Sequence, residues 1–247
     1  MKDLIPNDQP TDSFAIAAAP DGPVMLREAF EQLGIETFQL SRISLPAGGA
    51  TAWTVPTLEG EEMVKELEVV IASVKGNEKV FWREDFSGAG SPPDCSSHDG
   101  ITGFGIIDAD PKPGTEPQMN QCSTCPHNQW GSATGNGGGK RCNDIAMLYI
   151  FRKDTMMPDV IVVPPSSLKS MREYAMKLMQ SGLRMTDVAT KLVLEQAQSA
   201  TGIKYSKLAM KFSRKLTDDE RGRMGEVSAI LTKTASSASV SAADLNS

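Results

Sequence analysis

The chain has 247 residues, of which 40% are hydrophobic and 23% charged, enough for a substantial core in one large domain or two small ones. No apolar run reaches the length of a membrane-spanning helix, and the polar start "MKDLIPNDQPTDS" lacks the basic and apolar parts of a secretory signal. A cytoplasmic protein without a membrane partner is expected, and in that compartment clustered cysteines suggest a metal before a disulfide.

The formal net charge of −6 is unevenly spread. Met1 to Val64 carries three basic and ten acidic residues, whereas Pro165 to Lys215 carries ten basic and three acidic ones. Total charge therefore speaks against a generic polyanion binder, but a local basic face remains available for a phosphate backbone.

Residues 1–20 are polar, then rich in small residues, and are expected to be disordered. From Val24, the spacing of Leu26, Phe30 and Leu33 predicts a helix that Gly34 stops. "ETFQLSRISL" and "TAWTVPT" read as strands. Leu67 to Val74 is β-branched and apolar, "KGNEK" reads as a turn, and Val80 to Trp82 resumes the strand character. Ser87 to Asn143 is a long stretch dense in Gly, Pro, Asp, Asn and Ser, and such a loop is seldom unstructured unless something holds it. Ala146 to Phe151 and Asp159 to Val163 are buried-type strands.

A helix follows, with Ser166 or Ser167 as its cap and Gly182 as its stop. Two further strands, "MTDVATKLVLEQAQSA" and "KYSKLAMKFSRKL", meet at Thr201-Gly202. A last helix starts from a cap at Thr217, and residues 236–247 are low-complexity and expected to be disordered. The predicted class is a β-rich α+β fold, with one OB-like barrel over residues 21–235. A Cys-rich zinc-binding insert at 87–143 lies between its second and third strands, and a helix closes the C-terminus. A non-barrel α+β sheet has the same element order.

All four cysteines, Cys95, Cys122, Cys125 and Cys142, fall inside the predicted insert. Cys122 and Cys125 form a CxxC that turns two thiolates onto one ion, and four thiolates suit a closed tetrahedral structural Zn²⁺ site. His98 and His127 are alternative ligands. A redox CxxC, an iron–sulfur cluster and unligated thiols are the other readings. "GNGGGKRC" is not a Walker A loop, because Arg141 stands where Ser or Thr is needed. No histidine is left for a nucleophile triad, so no catalysis is expected. Asp94, Asp99, Asp108 and Asp110 are turn-type acids that a metal-dependent nuclease would use instead.

Single-stranded nucleic acid is bound by cations interleaved with aromatic side chains. That pattern selects Trp82, Arg83, Phe86, Trp130, Lys140 and Arg141 around the insert, and Lys204, Tyr205, Lys207, Lys211 and Arg214 on the last strand. Tyr205, Lys207 and Lys211 share one parity and so one face.

The runs "PPDCSSHDG", "CSTCPHNQWGS…GGGKRC", "VVPPSSLKSMREY" and "GIKYSKLAMKFSRKL", across about Leu67 to Leu216, resemble single-strand-binding proteins of bacteriophages and related mobile elements. These have OB-like cores and a zinc-ribbon-like insert. The resemblance implies single-stranded DNA binding in replication or recombination without catalysis, Cys95, Cys122, Cys125 and Cys142 as zinc ligands, and the host cytoplasm as location. The end "SAADLNS" has a single acid, so the acidic tail that recruits replication proteins in many such binders is not matched. Two competing functions are a zinc-ribbon adaptor in a multiprotein complex, with the acidic N-terminal third as partner surface, and a metal-dependent nuclease.

Overall fold

The computed structural model describes residues 13–36, 39–84, 93–133, 138–199 and 202–237. Two helices come first, α1 (Ala15–Ala18) and α2 (Gly22–Glu31), the latter with a proline in its opening turn where no backbone N–H is needed. The composition of residues 1–20 predicts disorder, but Phe14, Ile16 and Ala17 are fully buried and belong to the core. Residues 1–12 lie outside the described residues. In "ETFQLSRISL" only Arg42 makes a bridge, parallel to Val160, and no strand forms there among the described residues. "TAWTVPT" supplies β1 (Trp53–Thr57), which pairs in a hairpin with β2 (Gly60–Val64). Every β2 side chain is at least partly exposed, so its sequence carries no period-two signal.

The predicted strand–turn–strand at Leu67 to Trp82 is one strand, β3 (Glu66–Phe81). Asn77 does take a positive φ of 64° there. It does so in an irregularity between Lys75 and Glu78, where the register to the neighbouring strand shifts and the chain continues in the same direction. The Cys-rich segment therefore follows the first long strand, not the second. It contributes three short strands, β4 (Cys95–Ser97), β5 (Thr102–Gly105) and β6 (Gln118–Gln121). The chain then returns through β7 (Asn143–Arg152) and β8 (Asp159–Val163). Helix α3 (Pro165–Gln180) leads to the antiparallel pair β9 (Val188–Gln198) and β10 (Lys204–Lys215), and α4 (Asp218–Ser237) ends the described chain. Residues 238–247, most of the predicted tail, lie outside the described residues.

The result is a mixed α+β fold with an eight-stranded sheet. Its main part runs β10-β9-β3-β7-β8, and β4-β5-β6 extend from the far end of β3. The predicted barrel does not close: among the described residues β7 is the only strand paired with β8, whose other edge meets just the bridge at Arg42, and β10 pairs only with β9. Side chains of α3 occupy the edge that a closing strand would take. The Leu208 N–H donates to Ser167 Oγ at 2.9 Å, and Ser170 Oγ donates to the Leu208 carbonyl at 2.6 Å. Ser167 is thus spent on the strand edge rather than on the expected helix cap, which falls at Pro164 without a side-chain bond. Gly182 ends α3 as expected, with φ of 72° and its N–H on the Met179 carbonyl.

Both faces of the main sheet are covered. One face packs Val70, Tyr149, Phe151 and Val160 against Phe14, Leu26 and Phe30, and against Met224, Val227 and Leu231 of α4. The other packs Val69, Ile71, Leu148, Ile150 and Leu192 against Trp53, Leu168 and Met171. Among the described residues no helix is long and apolar enough to cross a membrane.

The start of α4 bears out the cap read from sequence. Thr217 Oγ1 accepts from the Glu220 N–H at 3.2 Å, while Glu220 Oε2 accepts from the Thr217 N–H at 2.8 Å. Thr217→Ala is expected to lower stability by about 1 kcal/mol in urea denaturation, and an unchanged midpoint would remove the cap's role. Burial pushes the Glu220 carboxyl up, but the Arg214 guanidinium and the Thr217 N–H outweigh it and hold it below the usual carboxylate range. A depressed carboxyl adds stability above its unfolded pKa, and that increment fades as pH falls through the folded value.

Candidate metal and nucleic-acid site

The insert is built around β4-β5-β6. Cys95 pairs across to Gly105 and Thr102 to Gln121, so alternate residues face opposite sides of the ribbon. On the inner side lie Cys95, Gly103 and Asn120. A Cβ added at Gly103 would stand 3.0 Å from Cys95 Sγ and 3.7 Å from Cys122 Sγ, so the glycine leaves room for two sulfurs that meet over it. Asn120 Nδ2 points at Cys95 Sγ from 3.9 Å and donates to the Gly105 carbonyl at 3.0 Å.

The CxxC turn is held from outside. The Cys122 N–H donates to the Ile101 carbonyl at 2.8 Å. Asn128 Nδ2 donates to the Cys122 carbonyl at 2.6 Å, and Gln129 Nε2 to the Cys125 carbonyl at 3.1 Å. The glycine stretch folds back: the Gly131 N–H reaches the Gly139 carbonyl at 3.0 Å, and the Cys142 N–H reaches the His127 carbonyl at 2.9 Å. Its use is therefore to return Cys142 to the cluster. Residues 134–137 lie outside the described residues.

The four thiols lie within electrostatic reach of one another. Burial, then neighbouring Cys125 and Cys122, push the Cys95 thiol up to about 11. Burial pushes Cys142 up to about 12, against the pull of the Lys79 ammonium, with Cys125, Cys122 and Cys95 adding to the rise. Gathering four groups that ionise to like charges is unfavourable unless they stay protonated or a cation joins them. Among the described residues, however, no three His, Cys, Asp or Glu side chains are drawn together closely enough to hold a metal ion as they stand. Thiolate ligation at about 2.3 Å per Zn–S bond requires the sulfurs to close further.

Both histidines proposed as alternative ligands have partners on one ring nitrogen. The His127 ring stacks on Phe81 with centroids 4.1 Å apart, and its Nε2 donates to the Ile107 carbonyl at 2.7 Å. His98 Nδ1 lies 3.4 Å from Lys75 Nζ and 3.8 Å from the buried Glu78 carboxylate. A polar link runs from the core into the cluster: Lys79 Nζ contacts Asp144 and also Asn128 Oδ1 at 3.3 Å. Of the acids a nuclease would need, Asp94 pairs with Arg83 at 2.9 Å. Asp99 fixes its own turn by accepting from the Ile101 and Thr102 N–H groups at 2.7 and 2.9 Å. Those bonds, led by the one from Thr102, hold the Asp99 carboxyl below its ordinary range.

The residues selected for nucleic acid divide into free and occupied. Trp130 is 80% exposed, with Lys140 Nζ 5.5 Å from its ring centre, but that ammonium is occupied, 3.3 Å from Asn128 Oδ1 and 3.9 Å from Asp144 Oδ2. Lys204 and Lys211 are exposed on β10. Tyr205 is half-buried, and so is Lys207, which stands across from Glu195. Arg83 is held by Asp94 and by the Asp108 carbonyl, and Arg141 by the Arg83 carbonyl and the Phe81 ring. Arg214 makes a two-pronged pair with Glu220 at 2.9 Å. These three arginines are structural. Trp82 is half-buried against Val80 and Ile145, and Phe86 lies outside the described residues.

Sequence reading missed the cross-strand pair Phe104 and Met119, 57% and 68% exposed on the outer side of the ribbon. It also missed Phe212, whose even parity sets it apart from Lys211 and which is 49% exposed. Comparison of the chain with protein-family models, with curated proteins and with solved structures returned no match.

Proposed function

We propose that the chain is a zinc-stabilised single-stranded DNA-binding protein of a replication or recombination apparatus, built on an OB-like sheet and without catalysis. The observation that carries this reading is the connectivity of the main sheet. Taken in chain order, β3, β7, β8, β9 and β10 are five strands with a helix between the third and fourth, arranged as 5-4-1-2-3. That is the OB order lacking only the pairing of third and fifth strands, in keeping with a barrel that is partly open. The Cys-rich segment then occupies the loop between strands one and two, one of the two loops such folds use to hold oligonucleotides. The exposed Trp130 gives that loop a base-stacking face, with Lys140, which is itself paired with Asp144, beside it.

In this reading Cys95, Cys122, Cys125 and Cys142 hold the zinc, and its chemistry is structural. The cradle left open by Gly103 and the mutual reach of the four thiols support it. The adaptor reading draws on a different observation, the exposed Phe104 and Met119 pair, which suits a protein contact.

Titration of a fluorescent single-stranded oligonucleotide separates the two. The DNA-binding reading expects log K to fall linearly with log salt, by about 0.7 per phosphate neutralised. No binding at low salt, or binding indifferent to salt, sinks it in favour of the adaptor. Magnesium-dependent cutting of the probe would instead promote the nuclease reading.

A further inference from the structure

We infer that the DNA strand runs in the groove between α3 and the free edge of β10, an inference that rests on the DNA-binding reading above. Two other tracks are less suited. The outward face of β7 and β8, where OB-type folds usually receive oligonucleotides, is covered: Tyr149, Phe151 and Val160 are buried beneath Phe14, Phe30 and α4. The outward face of β9 and β10, which parity singled out, is locally neutralised. There Lys191 pairs with Glu66 at 2.7 Å, Ser213 Oγ bonds Glu68, and Lys207 stands across from Glu195.

The α3–β10 groove is different in kind. It encloses about 770 Å³ over a floor that includes Tyr174, Leu178 and Met210. Lys177, Lys211 and Lys215 line it, and among the described residues no carboxylate pairs with any of them. Its one acid, Glu173, lies 3.9 Å from Lys169. Phe212, half exposed, lines the same groove and offers a ring face to a base.

The strand edge adds donors. Leu208 spends its edge-facing N–H and C=O on Ser167 and Ser170, and strand alternation turns the next such pair, at Met210, toward the groove. Three lysines for which the described residues supply no carboxylate, lining an apolar floor with an accessible aromatic ring, complement a polyanion carrying stacked bases.

The test uses the full chain and a labelled single-stranded oligonucleotide. Reversing the three lysines (K177E, K211E and K215E together) is expected to reduce the salt slope by about 2, which is about 100-fold in affinity at 0.1 M salt. Phe212→Ala is expected to weaken binding about 5- to 150-fold with the slope unchanged. The control R27E with K65E, two exposed cations that line neither wall of the groove, should bind within a few-fold of wild type. Equal melting temperatures establish that each variant is folded.

If the triple variant keeps the wild-type slope and affinity, the groove is not the track and the DNA-binding reading survives. The groove is equally excluded if the control loses as much as the triple variant. If wild type does not bind the oligonucleotide, both inferences fall. Retention of a labelled Asp/Glu-rich peptide by wild type and not by the triple variant, with no oligonucleotide bound, would assign the groove to a protein partner.

Discussion

Cys122→Ser is expected to abolish the zinc binding proposed above and to release residues 93–142 while the main sheet stays paired. Wild-type protein should carry about one equivalent of zinc, and the variant close to none. Structural zinc in finger peptides is bound with an apparent 10–16 kcal/mol, roughly, more than a typical domain's whole stability, so its loss should dominate local order. Cys122 is buried, its N–H ties the turn to Ile101, and its sulfur shares the Gly103 cradle with Cys95. The three short strands of the insert have little apolar surface to fall back on, since Phe104, Met119 and Ile101 all face solvent.

Limited proteolysis should therefore cut the variant quickly between 93 and 142. Wild type should resist until a chelator strips the metal, after which the two should digest alike. Strand β9 and the pairing of β3, β7 and β8 do not depend on the thiols and should keep their circular dichroism. Less than half an equivalent of zinc in wild type, together with identical cutting of both proteins, would remove the metal from the account.

Phe14→Ala tests the largest correction to the sequence reading. Phe14 is fully buried among Leu26, Phe30, Met224 and Val227, and the Arg214 guanidinium lies 5.8 Å from its ring centre. Emptying such a site costs about 3–5 kcal/mol, a large share of the 5–15 kcal/mol, roughly, that holds a domain. The urea midpoint should fall by the corresponding amount at constant slope. A loss below about 1 kcal/mol would mean that residues 13–20 rest on the core without belonging to it. The effect is expected to reach α4, because Arg214 holds Glu220 at the start of that helix.

What the sequence discloses depends on the length and period of each element. Helix α3 is legible because Leu168, Met171, Tyr174 and Leu178 recur at helical spacing and are all buried. Strands β9 and β10 are legible as a pair despite helix-tolerant residues, and Thr217 announces the last helix through a cap with a definite partner. Phe14 to Ala17 is not, because a helix of four residues offers no full period to read. "KGNEK" misleads because Gly and Asn supply a positive φ equally to a turn and to an irregularity inside a strand.

At the site, the confinement of the cysteines to one segment is legible in the sequence, and the structure brings the sulfurs of Cys95 and Cys122 together over Gly103. Choosing the cations succeeds less well. Arg83, Arg141 and Arg214 look alike in a sequence whether they face solvent or bind Asp94, a carbonyl or Glu220. Phe104 and Met119 are invisible for the opposite reason, since strands of four residues rich in glycine and asparagine give no hint of which side is outward.

The far end of β3 governs how the molecule can be taken apart. Its last residue, Phe81, pairs with Cys95 on β4, and its ring stacks on His127 and meets the guanidinium of Arg141. Those partners all come from the insert or its return, so the insert is also the wall of one end of the sheet. Excising residues 93–142 and joining the ends with a short linker would bare Phe81, leave β3 with only β7 at that end and deprive Lys79 of Asn128. Removing or exchanging the cysteine segment therefore calls for a compensating polar or smaller side chain at position 81.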